Sequence, residues 1–124
     1  MPTIVHFDIP ADDMESAKKF YKELFDWKIE SVPRPMEYNN IATKDEKGND
    51  GIDGGMGERR EPGAGVTNYI GVDSIYDYIK KVEDLGGKII MPKTPIPGFG
   101  YLAVFLDTEN NAMGLWETDE TVQM

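Results

Sequence analysis

The chain has 124 residues, no cysteine and a formal net charge of −10, from 13 lysines and arginines against 23 aspartates and glutamates. That length suits one domain with its own core, and the missing cysteine excludes disulfides and thiolate metal sites. The acidity argues against nucleic acid, whose phosphates need a basic surface. No apolar run is long enough to cross a bilayer. The first residues, Met-Pro-Thr-Ile-Val-His, lack the basic-then-apolar pattern of a secretory signal, so a cytoplasmic protein with no membrane partner is expected.

Ile4 to Ile9 alternates as a strand, with Phe7, Ile9 and Ala11 on one face and His6, Asp8 and Pro10 on the other. The first set belongs against a helix, and the second faces solvent or a concave site. Asp12 with Glu15 has capping-box spacing and predicts a helix from Asp13 to about Phe25. Met14, Ala17, Phe20, Tyr21, Leu24 and Phe25 form its apolar stripe, which reads as core. Trp27 to Val32 is a second strand, Pro33-Arg34-Pro35 breaks it, and Met36 to Thr43 is a third. A polar turn over Lys44 to Gly51 leads to a fourth strand, Ile52 to Met56, whose Gly54-Gly55 signals a bulge or a close approach of another group.

The Gly- and Pro-rich stretch 58–65 is the one linker-like segment. Val66 to Val72 then opens a second series. Asp73 or Ser74 caps a helix carrying Ile75, Tyr78, Ile79, Val82 and Leu85, and Gly86-Gly87 ends it. Lys88 to Met91 is a strand, and Pro92 to Gly100 reads as a loop stiffened by three prolines. Tyr101 to Leu106 and Ala112 to Trp116 are strands around a tight turn at Asp107 to Asn111. The polar tail from Glu117 is expected to fray.

The two series repeat at an offset of 61 residues: Ile9 matches Ile70, Asp12 Asp73, Lys19 Lys80, Leu24 Leu85 and Ile29 Ile90. Each copy is strand, helix, strand, strand, strand. The fold class is therefore α+β, with two βαβββ modules (about 1–57 and 66–117, joined by 58–65 and followed by a tail, 118–124) sharing one domain. Two such sheets can curl around a common cleft.

At this point the sequence resembles the vicinal oxygen chelate superfamily, also called the glyoxalase/bleomycin resistance/dioxygenase superfamily. The resemblance rests on His6-Phe7-Asp8-Ile9-Pro10-Ala11-Asp12-Asp13, Phe20-Tyr21 and Leu24-Phe25. In the second half it rests on Val72-Asp73, Leu85-Gly86-Gly87-Lys88, Pro97-Gly98-Phe99-Gly100-Tyr101, Asp107 and Leu115-Trp116-Glu117. It implies a curved mixed sheet around a cleft, and often a homodimer. In metal-dependent members it implies a divalent metal held by two His and two Glu, which stabilises an enediolate while a carboxylate moves the proton.

Only His6 falls on a family ligand position. The offset of 61 puts Thr67 at the second. The position seven residues beyond Asp107 is Gly114, and the last falls near Asp53-Gly54-Gly55, where Asp53 is the one carboxylate. Threonine and glycine do not hold a catalytic divalent metal. Glu117 lies an odd number of residues past the expected place and faces the other way.

Three readings follow, one of them an accessory subunit whose cleft is filled by a partner. In the first, the protein needs no cofactor and binds a small organic ligand in the cleft between the modules, with His6, Asp8, Thr67, Tyr69, Phe99 and Tyr101 as candidate contacts. His6 and Asp8 are then also the candidates for acid–base work, and an acidic cleft suits a cationic ligand. In the second, it is a metal-dependent lyase or isomerase similar to glyoxalase I (lactoylglutathione lyase), using His6 with divergent carboxylates such as Asp53 and Glu117. The glycine-flanked Phe99 reads as a lid or as a rigid connector.

Overall fold

The computed structural model describes residues 1–32 and 38–122. The break expected at Pro33-Arg34-Pro35, the start of the third strand at Met36, and the last two residues of the tail lie outside them. The chain divides into two compact units, 6–66 and 67–124, with residues 1–5 grouped with the second.

The first unit contains β1 (Thr3–Ala11, from His6 on), α1 (Met14–Phe25), β2 (Lys28–Ser31), β3 (Tyr38–Ala42) and β4 (Gly54–Glu58). Its strands lie in the order β2-β3-β4-β1. β1 runs parallel to β4, and the other pairs are antiparallel. Alternation along the strands sends Ala11, Ile29, Ile41 and Met56 to the α1 side. There they bury with Met14, and Phe7, Ile9, Ala17, Tyr21 and Trp27 pack around them. Asn39 shares that face and is fully buried, and its side-chain oxygen accepts from Ser31 Oγ at 3.1 Å.

The helix starts one residue later than expected. Asp13, not Asp12, is the cap, and its carboxylate accepts from Ser16 N at 3.0 Å. Asp12 is drawn instead to Arg59 Nε, 3.1 Å away. The same guanidinium donates to the carbonyls of Pro10 and Ala64, which ties the linker back to the end of β1. The apolar stripe of α1 is only partly core. Met14, Ala17 and Tyr21 meet the sheet, whereas Phe20, Leu24 and Phe25 sit on the flank and stay exposed.

The second unit contains β5 (Thr67–Gly71), α2 (Ile75–Asp84), β6 (Lys88–Ile96), β7 (Gly100–Leu106) and β8 (Ala112–Thr118), ordered β5-β8-β7-β6. β5 is parallel to β8, and the remaining pairs are antiparallel. Ile75, Ala103 and Leu115 form the core, with Val72, Tyr78, Ile79, Tyr101 and Phe105 against them. Ser74 caps α2, so the two helix caps, Asp13 and Ser74, are again 61 residues apart. The βαβββ plan expected from the repeat is present in each unit.

Three segments depart from expectation. Pro92 to Ile96 is strand, not loop, because β6 is an edge strand, and an edge tolerates prolines that donate no ladder hydrogen bond. Two register shifts along β6 absorb the irregularity. β4 begins at Gly54 rather than Ile52, since Gly51 and Ile52 are taken up by hydrogen bonds to Thr43. The described tail does not fray. β8 runs to Thr118, Asp119 N donates to Phe99 O, Gly98 N donates to Val122 O at 2.9 Å, and Val122 is buried.

The two hairpin turns are copies of one device. The Asp45 carboxylate accepts from the backbone N–H of Lys47 and Asn49, and that of Asp107 from Glu109 and Asn111, all at 2.8–2.9 Å. The left-handed residue is Gly48 in one and Asn110 (φ 64°) in the other. Asparagine tolerates that conformation, so the second turn closes without a glycine at that place.

Candidate functional site

β1 delivers His6 and Asp8 to the face of the first unit away from α1, as alternation requires, and each side chain is about one-third exposed (34% and 33%). The parallel register with β4 sets Asp8 beside Gly55. Tyr38, at the start of β3, pairs with Gly57 and leans across β4 toward β1. A Cβ on Gly55 would fall 1.7 Å from the Tyr38 hydroxyl and 2.2 Å from Cζ, and one on Gly57 would fall 3.3 Å from Cδ1. The ring therefore lies along two bare glycines, and its hydroxyl reaches Asp8.

These three side chains close a hydrogen-bonded triangle. Tyr38 Oη donates to Asp8 Oδ1 at 2.7 Å. His6 Nε2 is 3.0 Å from the same oxygen and 3.3 Å from Tyr38 Oη. A carboxylate at Asp8 accepts from both neighbours when the imidazole carries a proton on Nε2. Among the described residues no lysine or arginine forms an ion pair with Asp8. The arrangement offers a carboxylate, a phenol and an imidazole at one point, a set able to orient a polar ligand or to exchange a proton with it.

Tyr38 was missed by sequence reasoning. The signal was present in the alternation of β3, where Asn39 and Ile41 face the core and Tyr38 and Asn40 must face away. The Gly54-Gly55 pair announced a close approach without saying by which residue. Joining the two requires the β3–β4 register.

The second unit has a parallel feature. Tyr69 lies beside Gly114, and a Cβ there would fall 2.1 Å from Tyr69 Cδ1. Thr67 shares its strand parity. Phe99 is exposed in the short turn between β6 and β7, so the expected nine-residue loop reduces to a hairpin tip. Tyr101 stands on the α2 face of its unit. It lies two residues from buried Ala103 and faces α2, where it packs by Ile75 with Lys93 Nζ 4.2 Å from its ring. Glu117, cross-strand from Tyr101, faces the same way. Its Oε1 accepts from Ile75 N at 2.8 Å, and its Oε2 lies 3.6 Å from Lys93 Nζ. Asp53 accepts from Thr43 N in the approach to β4.

The family's metal can be tested against these residues. The parallel registers place Gly55 beside Asp8 and Gly114 beside Tyr69, corresponding positions in the two modules. Both are glycine, and at both a tyrosine ring fills the space where a side chain would start. Among the described residues no three His, Cys, Asp or Glu side chains converge. One imidazole and one carboxylate, already bonded to each other, do not fit a divalent ion that takes four such ligands.

Comparison with known proteins agrees with the fold. Residues 3–43 match the family described as bleomycin resistance protein-like N-terminal. A glyoxylase-like domain-containing protein of Didymella fabae is 32% identical over 111 residues, covering 84% of each chain. CFP32 of Mycobacterium tuberculosis, named as a glyoxylase, is 29% identical over 123 residues, 93% of this chain and 45% of that protein. The chain thus spans about half the length of that relative. A solved structure from Vibrio splendidus, a glyoxalase/bleomycin resistance protein/dioxygenase superfamily member, superposes with a TM-score of 0.64 at 16% identity, over 94% of this chain and 99% of that one. The repeat, the paired βαβββ units and these matches agree: the chain belongs to the glyoxalase/bleomycin resistance protein/dioxygenase superfamily.

Proposed function

We propose that this protein binds a small organic molecule on the α1-distal face of its first unit, without a divalent metal, and that His6, Asp8 and Tyr38 are its polar anchor. The observation that carries this reading is the triangle itself. Three hydrogen-bonding side chains from two strands meet over a glycine, partly exposed, on a face that the core does not use. A few convergent polar groups on a mostly uncharged surface are what orient a small ligand. Gly55 and Gly114 speak against the metal-dependent lyase reading, because neither can contribute a carboxylate and a ring fills each position.

A thermal-shift screen of small organic compounds in the presence of EDTA tests the reading. Stabilising compounds are expected to keep their effect in EDTA and to lose it in Asp8→Asn and in Tyr38→Ala. Compounds that stabilise only when nickel, zinc or manganese is added would contradict it. So would hits that bind both variants as well as the native protein.

A further inference from the structure

We propose that α1 carries a self-association surface, on which the α1 of a second copy of this chain docks antiparallel through Phe20 and Leu24. Both side chains are more than half exposed (58% and 56%) and stand one helical turn apart on a flank of α1. Phe25 is exposed as well, but it leans on Trp27, with ring centroids 5.2 Å apart. Phe20 and Leu24 instead form a stripe along solvent. Leaving two large apolar side chains in water is unfavourable, and an exposed apolar patch rimmed by charge marks an interaction surface. The stripe is not a product of the repeat, since the offset of 61 puts Lys81 and Leu85 at these places in α2.

The charged rim identifies the partner. Lys19 and Glu23 each precede a stripe residue by one place, which puts them about 100° round the helix on its solvent side, and both are exposed. Neither takes part in the ion pairs of the described residues. A lysine four places before a glutamate is the weaker order for pairing within one helix. A second α1, antiparallel about a two-fold axis, sets Phe20 of each copy beside Leu24 of the other. The same axis sets Lys19 of each copy beside Glu23 of the other. Both pairs have the same spacing of four, and their midpoints differ by one residue, about 1.5 Å along the helix, so a single axis serves both. A patch that complements itself in this way is what a two-fold dimer requires. The helix also holds three lysines and two glutamates in a chain of net charge −10, so it carries none of the surplus negative charge that would repel a second copy. The ligand face of the first unit lies on the other side of the sheet and takes no part in the contact.

Sedimentation equilibrium of the full chain tests the proposal, with native protein, Leu24→Asp, Lys19→Glu, Glu23→Lys and an equimolar mixture of the last two. The native protein is expected to show a reversible monomer–dimer equilibrium, and Leu24→Asp to be monomeric. Each charge variant should dimerise at least about tenfold more weakly, because the two-fold axis turns both attractive contacts into repulsive ones. The mixture should associate at least as tightly as the native protein, since one variant then presents two carboxylates to the other's two ammonium groups. All the altered side chains are exposed, so thermal unfolding of the variants followed by circular dichroism should match the native protein and separate loss of contact from loss of fold. A native protein that stays monomeric at about 1 mM, the weak end of specific affinity, would overturn the proposal. So would a dimer that Leu24→Asp leaves intact. Charge variants that associate as the native protein does, or a mixture no tighter than either variant alone, would refute the antiparallel pairing.

Discussion

Glycine at position 55 decides what the neighbouring side chains can do. Its missing Cβ lets Tyr38 cross β4 and bond Asp8. Gly55→Ala is therefore expected to expel the ring and weaken ligand binding to the level of Tyr38→Ala. The stability cost should be modest, since the displaced atoms are the far end of a flexible side chain. Gly54→Ala is the contrasting case. There the new Cβ would meet the Phe7 carbonyl at 2.5 Å, a backbone atom that cannot step aside. A loss of roughly 2 kcal/mol or more in urea unfolding is expected. Equal costs for the two would refute this account of the glycines. Glu117 belongs at the same scale, because it joins the start of α2 to Lys93, whose ammonium lies 4.1 Å from Tyr76 and 4.2 Å from Tyr101. Glu117→Ala should cost about 2 kcal/mol by leaving a largely buried lysine without its carboxylate and the helix start without an acceptor. An unchanged unfolding midpoint would show that this cluster contributes nothing.

The elements were legible where one local rule governs them. Both helices follow from caps and apolar spacing, and the error at α1 is a single residue, because two adjacent aspartates can each cap and only the position of Arg59 decides between them. β6 was misjudged because prolines read as loop until the strand is known to be an edge, and edge position is a property of the sheet. The triangle was two-thirds visible. His6 and Asp8 follow from alternation in β1, whereas Tyr38 enters only through the β3–β4 register. The face of Tyr101 is likewise legible only in the sheet, through its pairing with Glu117. The hairpin turns make a further prediction. Asp45 and Asp107 both titrate below the usual carboxylate range, chiefly because the backbone N–H of Asn49 and of Asn111 donates to them. A carboxyl whose pKa is lower folded than unfolded stabilises above the unfolded value and loses that contribution as pH falls through the folded one. Melting temperature should thus decline as pH drops below about 4. The Asp45→Asn, Asp107→Asn double variant should start lower at neutral pH and decline less steeply. Parallel curves for the two proteins would place the acid sensitivity elsewhere.

Across the whole molecule, the repeat survives in the backbone more than in the chemistry. The two units share strand order, cap spacing and turn design, yet one carries His6, Asp8 and Tyr38 where the other carries Thr67 and Tyr69. Superfamily membership thus fixes the frame and leaves the reaction open. No helix among the described residues is long and apolar enough to cross a membrane. The central claim is that the site works without the superfamily's metal, and calorimetric titration of nickel, zinc and manganese into EDTA-treated protein tests it most directly. The account predicts no saturable site at one ion per chain, and the same weak heats from His6→Ala as from the native protein. Stoichiometric, submicromolar binding that His6→Ala abolishes would contradict it.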